Sequence, residues 1–257
     1  MSHENPGAGT RVAATDTTFD VLERLRETEG AGVSELADAL AVSKSTVHNH
    51  LQTLARRGYV VCEDDAYRLG LRFLQLGDRA RQRHGLFHAA TDEVDTLVEE
   101  VGERAQVMVE EDGVGIYIYQ SLADRAVQTD SHIGTVVDLH ATAVGKAYLG
   151  HLPAERREAT LDAVDFRPVT PNTVTDRAAL EAELEEVAAR GYAFNDEERI
   201  VGMRAVGAPI LSDDDRVLGG VSVSGPTTRL SGSWYREEVP EMVSQSARVV
   251  GIRATYS

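Results

Sequence analysis

Cysteine, lysine and long apolar runs are what this chain lacks. A single cysteine, Cys62, stands in 257 residues, so no internal disulfide framework and no CxxC metal knuckle can form. Its expected place is a small buried apolar position. No stretch approaches 18 apolar residues, so nothing is expected to span a membrane. Met1–Thr10 has no basic segment followed by an apolar one, so no secretion signal is expected. A soluble, cytoplasmic protein follows. Of the 26 basic residues only Lys44 and Lys146 are lysines, against 42 acids and a net charge of −16. A GC-rich genome explains arginine over lysine but not that charge. Acid excess with almost no lysine suits a high-salt cytoplasm, where dense carboxylates keep a protein hydrated, and a halophilic host is the expectation.

The acid is unevenly spread. Residues 1–87 carry 12 acids and 11 bases, and residues 88–257 carry 30 and 15. This asymmetry predicts two domains with different partners. Residues 1–14 are small and polar and read as a disordered tail. From Asp16, Phe19, Val21, Leu22 and Leu25 recur at helical spacing, closed by Gly30 and Gly32. Val33, Leu36, Ala37 and Leu40 mark a second helix. After Ala41-Val42-Ser43, a third helix carries Val47, Leu51 and Leu54, with Ser43 as N-cap and Gly58 as stop. Tyr59–Glu63 and Ala66–Leu69 read as strands around a Glu63-Asp64-Asp65 turn. Three helices and a hairpin make a winged helix-turn-helix over residues 15–69.

Residues 70–87 read as a linker helix, followed by a periodic helix from Thr91 to about Arg104. Beyond it the pattern is α+β. Strands are predicted at Gln106–Glu111, Gly115–Ser121, Thr135–Leu139, Ala205–Leu211 and Val217–Ser224. Helices are predicted at Thr142–His151, Asp176–Arg190 and Tyr235–Arg253. Residues 88–257 should form an antiparallel sheet with helices packed on it, able to cup a small molecule.

A recognition helix needs apolar residues locking it to its neighbour and short polar residues at its N-terminal end. Leu36, Leu40, Val47 and Leu51 supply the lock. Ser43, Lys44, Ser45 and Thr46 sit where such a helix enters the major groove, with His48, Asn49 and Gln52 following. Ser45, Thr46 and Asn49 are expected at base edges, and Lys44, Arg56 and Arg57 at phosphates. Ala39–Cys62 contains no acid, but so does Arg216–Arg236, so position and capping weigh more than the window. A helical bundle used for dimerisation is the bland alternative. The acidic wing turn argues the other way: either its tip points off the DNA or potassium bridges it.

Sharper readings fail on chemistry. Gly145-Lys146 resembles the end of a P-loop, but His140 stands where glycine is needed and Ala147 where Ser or Thr is needed. Gly220–Ser224 misses the nucleophile elbow because its fifth residue is serine. His132 and His140 have no third ligand at metal spacing. The Asp196-Glu197-Glu198 and Asp213-Asp214-Asp215 clusters read as solvated turns. Neither a catalytic set, a metal site nor a cofactor is predicted. A hydrolase on the α+β region and a pure protein-interaction module are the competing classes, and the capped, acid-free recognition helix disfavours the second.

Four stretches, SKSTVHNHLQTLARRGYV, LHATAVGKAYL, GYAFNDEERIVGMRAVGAPI and VLGGVSVSGPTTRL, follow one another in register. In this order they resemble the IclR (isocitrate lyase regulator) family of transcription factors, over residues 16–255. The resemblance implies a DNA-binding winged helix, a linker helix and a GAF-like effector-binding domain. It also implies a homodimer or homotetramer, a double-stranded DNA operator, and a small organic-acid, aromatic-acid or sugar-acid effector, in the setting of a catabolic operon. The implied effector site comprises Ala143, Val144, Asn195, Ala205, Ser222 and Ser224. Ala143 and Val144 would offer backbone N–H groups to a carboxylate at a helix N-terminus. Ser222 and Ser224 share one strand face and Val221 and Val223 the other. The family usually has Asp at the position of Asn195 and often Cys or Ser at that of Ala205, so both positions here are less polar or less charged.

Overall fold

The computed structural model describes residues 11–256. The chain divides into two compact units after Ala80, inside the segment read as a linker. The first unit holds α1 (Ala13–Glu27), α2 (Val33–Leu40), α3 (Lys44–Arg56) and the hairpin β1 (Val60–Glu63) and β2 (Ala66–Leu69). Val21, Leu25, Leu36, Val47, Leu51, Leu54 and Tyr67 form its core. Ala41 turns the chain between α2 and α3 in the left-handed region, at φ 53°. The Ser43 hydroxyl caps α3 by accepting from the Thr46 N–H at 3.1 Å.

Four expectations are corrected here. The tail expected over residues 1–14 lies outside the described residues up to Thr10, but Ala13 and Ala14 already belong to α1. Phe19, counted on the apolar stripe of α1, is 60% exposed, so that stripe is narrower than its spacing suggests. Cys62 is exposed, because β1 turns only Val60 into the core. The segment 70–87 is not one helix. Helix α4 (Arg72–Gln82) ends before Arg83 and His84, and α5 (Gly85–Val101) starts afresh, six residues before the expected Thr91. A new helix starts there because Leu86, Ala89, Ala90, Val94, Leu97 and Val98 form one buried stripe, whereas α4 has no buried residue. Leu74 and Leu76 on α4 are exposed, as is Leu71 just before it.

The second unit is a six-stranded antiparallel sheet. It contains β3 (Arg104–Glu111), β4 (Val114–Leu122), β5 (Val136–Val137), β6 (Ala193–Asp196), β7 (Met203–Leu211) and β8 (Val217–Pro226). Their order is β5-β4-β3-β8-β7-β6. The expected strand Thr135–Leu139 is only two residues long, because Leu139–Ala141 winds into a 3-10 turn that buries its side chains. Strand β6 and helix α7 (Ala154–Ala163) were not predicted; α7 buries only Leu161, leaving a faint apolar period. Helix α8 (Arg177–Arg190) is capped by Asp176 and stopped by Gly191 at φ 84°. The last helix begins with a π-helical turn at Trp234–Glu238 that continues into α9 (Val239–Thr255), so Tyr235, its expected start, already lies within it.

Alternation along the strands separates two faces. Ala105, Val107, Val206, Ala208, Val221 and Val223 pack against α5 and α9. The opposite face receives α6 (Ala143–Gly150), with α8 behind it. Two glycines let α6 seat closely. A Cβ on Gly145 would lie 2.2 Å from the Leu139 carbonyl oxygen, and one on Gly207 would lie 2.5 Å from the Val144 nitrogen. Both approaches are shorter than any side chain tolerates.

Beneath α6 lies a buried ion network. Lys146, 1% exposed, donates to Glu183 and to Glu198, both at 2.7 Å. The expectation that Asp196-Glu197-Glu198 is a solvated turn is therefore wrong at Glu198, which is buried. Burial pushes the Glu198 carboxyl above its usual range, against the pull of Lys146. Its second oxygen has no hydrogen-bond partner. The Thr170 and Thr173 hydroxyls donate to the Glu198 carbonyl, completing a polar clamp between α6, α8 and the chain after β6. Removing the ammonium should strand two carboxylates. Lys146→Met is expected to cost about 3–5 kcal/mol of stability at neutral pH. A raised carboxyl pKa destabilises above that pKa, and the deficit disappears as pH falls toward the unfolded value. Denaturant melts of Lys146→Met should therefore recover toward pH 5, and Glu198→Gln in the same chain should restore much of the loss at neutral pH. A pH-independent deficit would contradict this.

Candidate functional site

Two surfaces carry the chemistry, one in each unit. On α3, Val47, Leu51 and Leu54 face the core, and the helix presents Ser45, His48, Asn49 and Gln52 outward at spacings of three and four residues. Lys44 opens the helix, and Arg56 and Arg57 close it; all three are exposed. Among the described residues, no carboxylate lies within ion-pairing distance of these three, whereas Arg24, Arg26 and Arg68 each hold one. One predicted contact residue is engaged differently. Thr46 is half-buried, and its hydroxyl shares a 2.8 Å hydrogen bond with Ser43, as does that of Ser45. These three side chains form a capping cluster, with Ser45 still exposed. His50 points back to the Thr18 hydroxyl at 2.8 Å.

The wing hairpin closes through Asp64 and Asp65, both at positive φ, and both carboxylates are exposed. Glu63 is neutralised in part by Arg68 at 3.1 Å, and Arg68 also donates to the Glu29 carbonyl at 2.7 Å.

In the second unit, Ala143, Val144, Asn195, Ala205, Ser222 and Ser224 all line one cavity, a cleft of about 460 Å³ when the solvent at its open mouth is included. Strand register explains how separated residues meet. Asn195, Ala205, Ser224 and Arg104 lie in one row across β6, β7, β8 and β3, and Gly207, Ser222 and Gln106 in the next. Above these rows stands the N-terminus of α6. Thr142 caps it by accepting from the Gly145 N–H at 3.1 Å. Ala143 and Val144 occupy the first turn, where a helix leaves N–H groups without intrahelical acceptors.

Asn195 has a narrower role than its position suggests. Its amide nitrogen donates to the Ala141 carbonyl at 2.7 Å, and its amide oxygen accepts from the Glu198 N–H at 3.2 Å. An ionised aspartate could not make the first bond. Asn195 thus ties the turn before α6 to the chain after β6.

Six of the sixteen lining residues were expected from the sequence and ten were not. Arg104, Gln106, Tyr117, Ser131, Arg199 and Arg204 also face this cavity. Arg199 pairs with Asp130 through two 3.1 Å contacts, and Arg204 with Asp196 at 2.7 Å. Burial raises the Tyr117 hydroxyl pKa, which keeps it protonated and able to donate. The missed signal was the alternation of Arg104 and Gln106 with Ala105 and Val107, the same pattern that marked Ser222 and Ser224. Among the described residues, no group of three metal-ligating side chains converges, and no helix is long and apolar enough to cross a membrane.

Comparison with known proteins agrees with this architecture. A model of the IclR helix-turn-helix domain matches residues 14–63, and one of the bacterial transcriptional regulator IclR C-terminal domain matches residues 79–251. ArcR of Halobacterium salinarum, a probable HTH-type transcriptional regulator, is 32% identical over 253 residues, covering 97% of this chain and 96% of that protein. The crystal structure of the Thermotoga maritima IclR superposes with a TM-score of 0.81 at 27% identity, over 96% of this chain and 100% of that one. An IclR homologue from Microbacterium hydrocarbonoxydans, complexed with 4-hydroxybenzoate, shares the fold at a TM-score of 0.81 and 22% identity, covering 95% and 100%. This chain belongs to the IclR family of DNA-binding transcriptional regulators, which are not enzymes.

Proposed function

We propose that this regulator binds its operator as a homodimer, through paired recognition helices, and that a small carboxylate in the cavity of the second unit changes operator affinity. The observation that carries the effector half is convergence: six residues from four separate segments surround one cavity beneath a helix N-terminus. Such an end favours anions through its free N–H groups and its dipole, and the Ser222 and Ser224 hydroxyls add donors on the facing strand. The 4-hydroxybenzoate held by the Microbacterium relative is itself a carboxylate. Effector control would follow from differential affinity of the acid for two arrangements of the dimer. The exposed Leu71, Leu74 and Leu76 around α4 support self-association.

On the DNA side, we assign Ser45, His48, Asn49 and Gln52 to base edges and Lys44, Arg56 and Arg57 to phosphates, with Ser43 and Thr46 fixing the helix end. Footprinting and equilibrium titration separate these roles. Asn49→Ala with Gln52→Ala should relax preference at one or two base pairs, costing about 1–3 kcal/mol each. Arg56→Gln should weaken binding to all sequences alike. Undiminished discrimination by the double variant would remove these side chains from the interface.

On the effector side, calorimetry with a panel of small carboxylates should find binders. Ser222→Ala should then weaken them by about 1.5–3 kcal/mol, the scale for a hydrogen bond to a charged group, while operator affinity without acid stays unchanged. Unaltered acid binding in that variant would place the carboxylate elsewhere.

A further inference from the structure

The cavity holds one buried cation with no carboxylate of its own, since Asp130, which acts on it from further off, is paired with Arg199. Arg104 is 3% exposed and lines the cavity from the start of β3, directly across the ladder from Ser224. Its terminal nitrogens donate to the Thr129 hydroxyl and, at 2.8 Å, to the Val127 carbonyl. Its Nε has no hydrogen-bond partner. Among the described residues, no carboxylate lies within ion-pairing distance of it. The contrast with its neighbours is sharp. Arg199 and Arg204, on the same cavity, are each held by an aspartate. A neutral side chain, Asn195, occupies the far end of the row.

A buried guanidinium without a counter-charge is costly, because burial removes water that nothing replaces. Desolvation lowers the Arg104 pKa, but an arginine starts too far above neutrality to lose its proton. The α6 N-terminus and the two serine hydroxyls can serve one carboxylate. They leave Arg104 with an open donor and no carboxylate in direct contact on the same sheet face.

We propose that Arg104 recognises a second anionic group, so that the effector is a small acid carrying two of them: a dicarboxylate or a phosphorylated acid. This rests on the reading of the cavity as a carboxylate site and narrows it. One anionic group is held at the α6 N-terminus by Ser222 and Ser224, and the other lies against the Arg104 guanidinium and neutralises its charge. In a unit carrying 30 acids against 15 bases over residues 88–257, long-range repulsion works against a dianion. Selection for two charges must then come from the local cation, a charge-assisted hydrogen bond being about twice as strong as a neutral one.

The test is calorimetry on the full chain in molar KCl with matched pairs: lactate against malate, and glycerate against 3-phosphoglycerate. At least one dianion should bind about tenfold or more tighter than its partner. Arg104→Gln should abolish that ratio while changing lactate or glycerate affinity less than about twofold, and Arg104→Lys should retain part of it. The ratio is the readout, because a structural defect from losing the Thr129 and Val127 contacts would weaken both members of a pair alike. Equal affinity within both pairs in the unaltered protein, or a ratio that survives Arg104→Gln, overturns the inference and leaves the carboxylate site standing. A hydroxylated monoanion binding as tightly as the dianions would show Arg104 reading hydroxyls, and also overturns it. Failure of every acid to bind removes the carboxylate reading and this inference together.

Discussion

Placement of uncompensated positive charge is the constraint on which the rest of this molecule depends. A chain of net charge −16 belongs to a family that binds a polyanion, so cations must be free where they act and silenced elsewhere. The silencing is visible. Arg177 is shared among Glu158, Asp162 and Glu181, Arg229 is held by Glu103, and Lys146 lies between two carboxylates. Exposed pairs of this kind contribute little stability; their effect is to keep stray positive charge off the surface. Lys44, Arg56 and Arg57 at the ends of α3 have no such carboxylate among the described residues, nor has Arg104 inside the cavity; Arg72, Arg157 and Arg248 share that condition outside both sites.

The same logic shapes the sheet. One face is a continuous apolar layer under α5 and α9, and it stabilises the unit by burial in the ordinary way. The other face gives up apolar burial along two rows for Arg104, Gln106, Ser222, Ser224 and Asn195. Polar groups in such positions need partners. Gln106 finds Gln120 at 2.9 Å, and Asn195 finds two backbone groups. The Arg104 Nε keeps no partner, and it lies on the sheet face beneath a helix end whose first N–H groups have no intrahelical acceptor. The Lys146 network stiffens this arrangement from behind, so that α6 is tied to α8 and to the chain after β6.

The recognition helix was legible in the sequence because its signals are local: a serine cap, a 3.6-residue stripe and a stretch without acid. The antiparallel sheet was legible for a similar reason, since valines alternate cleanly in β3 and β8. Failures arose where long-range packing decides. The fate of Leu86 and Ala89 depends on the sheet they cover, so the arginine-rich stretch before them disguised the start of α5. Glu198 looked like part of an acidic surface turn, because its partner Lys146 is 52 residues away. Cys62 looked buried by residue type, but the core covers only Val60 of that strand, although Cys62 shares its face. The six expected cavity-lining positions came through family resemblance, whereas Arg104 shows locally only the polar–apolar alternation of β3, and the register of β3 on β8 sets it opposite Ser224.

If charge placement governs recognition, operator binding should outlast the electrostatics of nonspecific binding. With the proposed three phosphate-holding bases per subunit and a dimer, about six contacts would give a salt slope near −5 at about −0.9 per contact. In molar salt little of that gain remains, so base-edge contacts and DNA shape must carry the complex, while the acidic second unit repels random DNA. The direct measurement is one titration series of the full chain against operator and scrambled duplexes, from low to molar KCl. Specific binding that persists at molar KCl while scrambled DNA is released would agree with this account. Parallel loss of both affinities, vanishing together, would contradict it.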